Sequence, residues 1–270
     1  MNSTYQKLTL ATCEIARTVG KYMANERKGF DDSKIENKGL HDLVSYVDKA
    51  SEEFIIAKLQ EMLPESGFIA EEGTNDKRGE RFNWVIDPLD GTTNYIQGIP
   101  LYAVSIGLLD GEELVLGVVY EVGRDECFYA WKNGGAYLNG QTIRVSDRRE
   151  IHEALLATGF PYNDFSKMES YMIFLEWAMK NARGVRRLGS AATDLVYVAC
   201  GRFEAFWEYD LKPWDVAAGA VIVKEAGGTV TDYKGGDNYL FGKEIVASNL
   251  WLKDLIIQKI NDIAANETIQ

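Results

Sequence analysis

The run Trp84-Val85-Ile86-Asp87-Pro88-Leu89-Asp90-Gly91-Thr92-Thr93-Asn94 constrains this chain more than any other stretch. An apolar strand leads into two acids, then a glycine and two hydroxyls. Acids at a strand end lie at the rim of a sheet, where ligands collect. Two carboxylates this close repel unless they are protonated or bridged by a cation. A hard cation such as Mg²⁺ prefers oxygen ligands, and the Leu89 carbonyl between the acids is a further oxygen donor. Gly91 lets a backbone approach closely, and the amides of Gly91 and Thr92 can donate to a phosphate if a short helix starts there. Asp-Pro and Asp-Gly are each ordinary turn pairs. The whole run, rather than either pair, carries the reading.

Three other segments place acids where a second reading competes with a structural one. Ile69-Ala70-Glu71-Glu72-Gly73 ends a short apolar strand in paired glutamates, a common surface pattern. Lys212-Pro213-Trp214-Asp215 opens an apolar helix, where an aspartate suits the helix dipole. The segment from Lys38 through Asp42 to Asp48 reads equally as a loop entering a helix. His41 and His152, the two histidines, lie in no nucleophile-like setting and read as structural, and Cys200 before Gly201 reads as core packing.

The surrounding pattern is layered. Helical stripes run from about Thr4 to Asn25 and from Ser45 to Met62, with Pro64 ending the second. Phe68 to Ala70 and Phe82 to Ile86 read as strands. Ala103 to Leu109 and Glu113 to Tyr120 form a hairpin through Asp110-Gly111, and Cys127 to Trp131 continues a strand meander with two short strands after it. Later blocks alternate: strand Glu153 to Thr158, helix Met168 to Asn181, helix Ala191 to Ala199 capped by Ser190, strand Phe203 to Glu208, helix Val216 to Glu225 stopped at Gly227-Gly228, and a terminal helix from Leu250 to Ile263. Alternating blocks imply layered α and β structure. A weak boundary near Arg148-Arg149 divides the chain into residues 1–148, an α+β half with most of the acids, and 149–270, an α/β half with Asp215, packed as one unit. The tail from Asn266 to Gln270 is predicted to be unordered.

Composition excludes several classes. With 46% apolar and 26% charged residues the 270-residue chain has the makeup of a folded globular protein with a large core. A net charge of -12 and the absence of a basic stripe argue against a nucleic-acid polymer as partner. Cys13, Cys127 and Cys200 are too scattered for a disulfide framework or a structural zinc site, which fits a reducing cytoplasm. No signal peptide or membrane span is predicted.

Taken together, the four acidic segments resemble the inositol monophosphatase family from about Lys38 to Asn249. Asp-Pro-Leu-Asp-Gly-Thr and the Trp-Asp that opens a helix are the two signatures. The resemblance implies an α-β-α-β-α layered sandwich with the site between its halves, and commonly a homodimer inhibited by Li⁺. It implies that Glu71, Asp87, Asp90, Asp215 and the Leu89 carbonyl bind two or three Mg²⁺ ions. Glu71 and Thr92 would orient and deprotonate the attacking water, with Asp48 holding Thr92 and Lys38 adding positive charge nearby. The Gly91 and Thr92 amides would hold the phosphate. Ala191 and Glu208 would contact the polyol hydroxyls, with Asp90 and Asp215 bordering that pocket. Glu72 is not the matching glutamate.

The implied reaction is hydrolysis of a small polyol or sugar phosphate monoester, foremost inositol monophosphate, to the alcohol and inorganic phosphate. Thr93-Asn94-Tyr95 resembles inositol monophosphatases rather than the nucleotide-phosphatase branch. Glu208 suits hydroxyls and repels a second phosphate. Fructose-1,6-bisphosphatase and nucleotide 3'-phosphatase or NADP phosphatase activity stay open within the family, as does a non-catalytic metal- or phosphate-binding protein on the same scaffold.

Overall fold

The computed structural model describes residues 2–30, 35–37, 43–75 and 77–267. Seven helices are described: α1 Asn2–Glu26, α2 Tyr46–Met62, α3 Thr92–Gln97, α4 Met168–Asn181, α5 Ala191–Ala199, α6 Pro213–Glu225 and α7 Lys253–Glu267. A hairpin pairs β1 Ile35–Asn37 with β2 Leu43–Ser45. Seven strands, β3 Gly67–Ala70, β4 Phe82–Asp90, β5 Ala103–Asp110, β6 Glu113–Glu121, β7 Glu126–Trp131, β8 Ala136–Leu138 and β9 Gln141–Ile143, form one sheet in chain order. Only the β3–β4 pair in it is parallel; the rest is the predicted meander. The second sheet holds β10 Leu155–Thr158, β11 Gly184–Arg186, β12 Ala205–Tyr209, β13 Thr229–Thr231 and β14 Glu244–Ser248, in the order β11-β10-β12-β14-β13.

Three apolar cores hold five layers together, the second of them enclosing the middle layer. The first lies between α1, α2 and one face of the large sheet, around Trp84, Ile86 and Leu59. The second fills the space between the sheets, where α5 and α6 pack, and draws on Val85, Phe128, Leu195 and Val221. The third lies under α4 and α7 on the outer face of the small sheet, around Phe174, Trp207 and Ile256. This is the α-β-α-β-α sandwich. Several elements differ from the sequence reading. Strand β4 continues through both acids to Asp90, α6 starts at Pro213, and α7 starts later and runs through Asn266 to Glu267, into the tail predicted to be unordered. Residues 268–270 of that tail lie outside the described residues, as do Lys38, His41 and Asp42. No helix of the described residues is long and apolar enough to cross a membrane.

Helix α6 reaches the large sheet through a gap made by two glycines. Gly107 and Gly117 stand opposite each other on β5 and β6. A Cβ on Gly117 would come within 2.3 Å of the Ala218 carbonyl oxygen, and one on Gly107 within 3.1 Å of the Ala217 Cβ. Because α6 carries Asp215, this close approach also sets the depth of the site. Gly117→Ala is expected to lower the unfolding free energy by about 3 kcal/mol, measured by urea titration. A loss below about 0.5 kcal/mol would show that α6 does not depend on the gap.

At the end of β6, Glu121 is fully buried. Its carboxylate accepts hydrogen bonds from the amides of Gly123 (3.1 Å) and Arg124 (3.0 Å). Burial outweighs those bonds and pushes its pKa from 4.5 up to about 7. The folded state therefore holds this proton more tightly than the unfolded chain. The stability it contributes is full below the ordinary carboxyl value and is lost as pH rises through about 7. Urea unfolding at about pH 5 and about pH 8 should show a loss of about 2.5 kcal/mol from this group, missing in Glu121→Gln. Equal pH slopes in the two proteins would refute the assignment.

Candidate active site

Both acids of the central run sit on β4, and a bulge brings them together. Asp87 pairs with Ser105 and Asp90 with Ala103, so the β4–β5 register shifts between them. A bulge of this kind re-aims side chains beside a site. The Leu89 amide donates to Asp87 Oδ1 at 2.9 Å. Gly91 then turns the chain into α3 with φ of +94°, a conformation that favours glycine, and a Cβ there would press on the carbonyls of Gly189 and Leu101, each at 3.2 Å.

Three other elements complete the cluster. Glu71 follows β3, and its amide donates to the Ile86 carbonyl at 3.2 Å, so the loop stays fastened to β4. Asp215 lies in the first turn of α6, where its Oδ2 accepts from the Lys212 amide at 2.7 Å. Asp48, buried in the first turn of α2, accepts from the amide and hydroxyl of Ser45 at 2.9 and 2.6 Å through Oδ2. Its Oδ1 lies 3.1 Å from Thr92 Oγ1, which is also 3.0 Å from the Leu89 carbonyl. The expected Asp48–Thr92 contact is therefore present. It rests on the same capping box that starts α2.

A cavity of about 240 Å³ is lined by Glu71, Asp87, Leu89, Asp90, Thr92 and Asp215. Gly91, Ala191 and Glu208 border it as well; Asp48 stands behind Thr92, and Glu72 does not line it. The site is strongly acidic inside. Burial, then the charges of Glu71, Asp90 and Asp215, push the Asp87 carboxyl well above its usual range. Burial raises Asp90 to about 6 against hydrogen bonds from Ser190 and Ala192, and raises Asp215 to about 7 with help from the charge of Asp90. Glu208 is likewise raised well above its ordinary range, by burial and then by Asp215.

This donor set suits a hard divalent cation: four carboxylates and a backbone carbonyl, all oxygen, converging on one buried space. Among the described residues no three of the acids are yet drawn into a group that could hold an ion. Asp87, Asp90 and Asp215 each accept from a backbone amide, of Leu89, Ala192 and Lys212 respectively.

The far wall was not legible in the sequence. Phe160 and Tyr162 follow β10, Arg187 follows β11 and Asp194 lies on α5, and all four line the cavity. The Arg187 guanidinium stands 5.6 and 5.9 Å from the ring centroids of Phe160 and Tyr162 and donates to the Tyr162 hydroxyl at 2.9 Å. Glu52, buried in α2, was missed too. It accepts from the amides of Glu72 and Thr74 at 2.7 and 2.9 Å and from the Thr74 hydroxyl at 2.7 Å, and so shapes the loop that carries Glu71.

Comparison with known proteins gives one answer. The profile of the inositol monophosphatase family matches residues 4–265. The putative Nus factor SuhB of Neisseria meningitidis serogroup A is 43% identical over 235 residues, covering 87% of this chain and 90% of that protein. The inositol-1-monophosphatase of Mesorhizobium japonicum is 36% identical over 248 residues, covering 92% and 93%. The crystal structure of the extragenic suppressor protein SuhB from Bartonella henselae superposes with a TM-score of 0.88 at 37% identity, covering 93% of this chain and 96% of that one. With the profile spanning nearly its whole length, the chain belongs to the inositol monophosphatase family.

Proposed function

We propose that the protein hydrolyses a small polyol phosphate monoester, foremost inositol monophosphate, with Mg²⁺ as cofactor. The observation that carries this reading is the gathering of Glu71, Asp87, Asp90, Thr92 and Asp215 around one cavity that also has Glu208 on its wall. Glu71, Asp87, Asp90, Asp215 and the Leu89 carbonyl would hold the cations. When bound, a divalent cation supplies neutralisation of phosphate charge and acidification of water.

The chain's own groups do the rest. Ionised Asp48 takes the Thr92 hydroxyl proton into a hydrogen bond, which leaves the oxygen of Thr92 to accept from the attacking water. The Glu71 carboxylate accepts the second proton of that water. The amides of Gly91 and Thr92 donate to phosphate oxygens. Glu208 and Ala191 would contact the hydroxyls of the polyol, with Glu208 accepting from them. A buried acid at that position favours neutral hydroxyls and penalises a second phosphate.

A phosphate-release panel with Mg²⁺ tests the reading. It compares inositol 1-phosphate, fructose 1,6-bisphosphate, 3'-phosphoadenosine 5'-phosphate and NADP. Inositol 1-phosphate should lead in kcat/KM by about tenfold or more. Preference for another ester would keep the acid cluster's role and overturn that of Glu208. No turnover of any ester would favour a non-catalytic binding protein.

The name Nus factor, borne by a relative at 43% identity, motivates a second reading in which this chain also engages the transcription apparatus. The net charge of -12 weighs against direct contact with a nucleic-acid polymer. A saturable gel shift with a single-stranded RNA oligonucleotide would overturn that part of the proposal.

A further inference from the structure

A second cavity of about 360 Å³ opens between α4, α7 and the outer face of the small sheet. Its size is within the range of small-molecule sites, roughly 300–1,000 Å³. Tyr171, Phe174, Trp207, Tyr233 and Ile260 line it. Trp207 is 1% exposed, and its indole Nε1, a donor that cannot be turned into an acceptor, has no partner; nor has the buried hydroxyl of Tyr233. Buried polar atoms in that state are costly, and native structures keep few without a reason. The rim is charged differently from the catalytic cavity. Lys167 and Lys234 stand at it, Lys167 bonded to Glu244 and 5.8 Å from the centroid of the Tyr233 ring.

We propose that this cavity is a binding site for a small hydroxyaromatic carboxylate, separate from the catalytic centre. The aromatic walls take the ring, by edge-on contacts of the kind Phe174 and Trp207 already make at 5.0 Å between centroids. Both polar atoms are covered in this structure, so a rotation of the Trp207 and Tyr233 side chains would be needed for the phenolic oxygen to accept from the indole and bond the hydroxyl. The carboxylate meets the lysines at the rim. The cavity also has a physical link to the substrate pocket. The Tyr171 hydroxyl bonds Thr158 Oγ1 and the Gly159 carbonyl, and Gly159 lies so close to the Glu208 carboxylate that a Cβ there would overlap it. An occupant pressing on Tyr171 therefore acts on the wall that carries Glu208.

Calorimetric titration of the full chain with 4-hydroxyphenylacetate, phenylacetate and tyramine tests the assignment. 4-Hydroxyphenylacetate should saturate below about 1 mM. Phenylacetate, which lacks the inner oxygen, and tyramine, which lacks the carboxylate, should each bind about fivefold or more weakly. Ala264→Trp, placed in the cavity wall on α7, should weaken all binding by about tenfold or more. Tyr233→Phe removes a single oxygen and should weaken only 4-hydroxyphenylacetate, which keeps the test decisive if the tryptophan variant does not fold. No saturable heat up to about 10 mM, or equal affinity in wild type and Tyr233→Phe, would overturn the site. The link to Glu208 rests on the phosphatase reading and has its own measurement: KM for the best ester should shift at least about twofold at saturating ligand. Saturable binding with an unchanged KM would overturn the link alone.

Discussion

Asp90→Asn should lower kcat for phosphate release by about a thousandfold while making the cation-free protein more stable. Both effects come from the same geometry. Asp90 Oδ2 accepts from Ser190 Oγ at 2.6 Å and from the Ala192 amide at 2.7 Å. The amide is a fixed donor, so an asparagine must keep its carbonyl oxygen there. Its NH₂ group then takes the place of the other carboxylate oxygen, in a cavity whose remaining walls include Asp87 and Asp215. A donor replaces an acceptor where a cation is to be held, and one negative charge leaves the site. The charge of Asp90 contributes to the raised pKa of both Asp87 and Asp215, so removing it relieves repulsion in the folded state. The melting temperature without divalent cation should rise by about 2–4 °C. Added Mg²⁺ should stabilise the wild type by mass action and leave the variant nearly unmoved. A variant that keeps more than about a tenth of wild-type kcat, or that Mg²⁺ stabilises as strongly as the wild type, would remove Asp90 from the cation site.

The same residues show what a sequence can and cannot carry. Helices α4 and α5 lie at the predicted bounds, because the apolar stripe of one and the Ser190 cap of the other are local signals. The Ser190 hydroxyl does accept from the Thr193 amide, but it also donates to Asp90 from a hundred residues away, and no local pattern encodes that second bond. The reach of β4 to Asp90 was hidden because Asp-Pro reads as a strand end, while a bulge against β5 lets the strand continue past it. Strands β11, β13 and β14 were missed for a related reason. They are three to five residues long, and their partners supply most of what defines them. In the site, the acids were legible because their motifs are contiguous. Arg187, Asp194, Phe160 and Tyr162 come from separate elements and meet only in the folded chain.

Thr92→Val should lower kcat by about a hundredfold to a thousandfold with KM little changed. Valine keeps the shape of threonine and deletes one oxygen. That oxygen lies 3.1 Å from Asp48 Oδ1 and 3.0 Å from the Leu89 carbonyl, two acceptors competing for one proton. If the Leu89 carbonyl turns to a cation, the proton is committed to Asp48, and the lone pairs of Thr92 face the water. Without the hydroxyl the water loses an acceptor that fixes its direction, whereas phosphate and polyol keep their own contacts, so the loss falls on kcat. The structural cost is small. Asp48 retains both bonds from Ser45, and losing the third costs about 1 kcal/mol, so the fold survives for the assay. Thr92→Ser restores the oxygen without the methyl and should return activity to within about tenfold of wild type. That pairing separates positioning of water from packing. If the serine variant is as impaired as the valine one, the methyl contact is what matters. If the valine variant keeps more than about a third of wild-type kcat, the water is directed by Glu71 alone, and the Asp48–Thr92 pair only fastens α2 to α3.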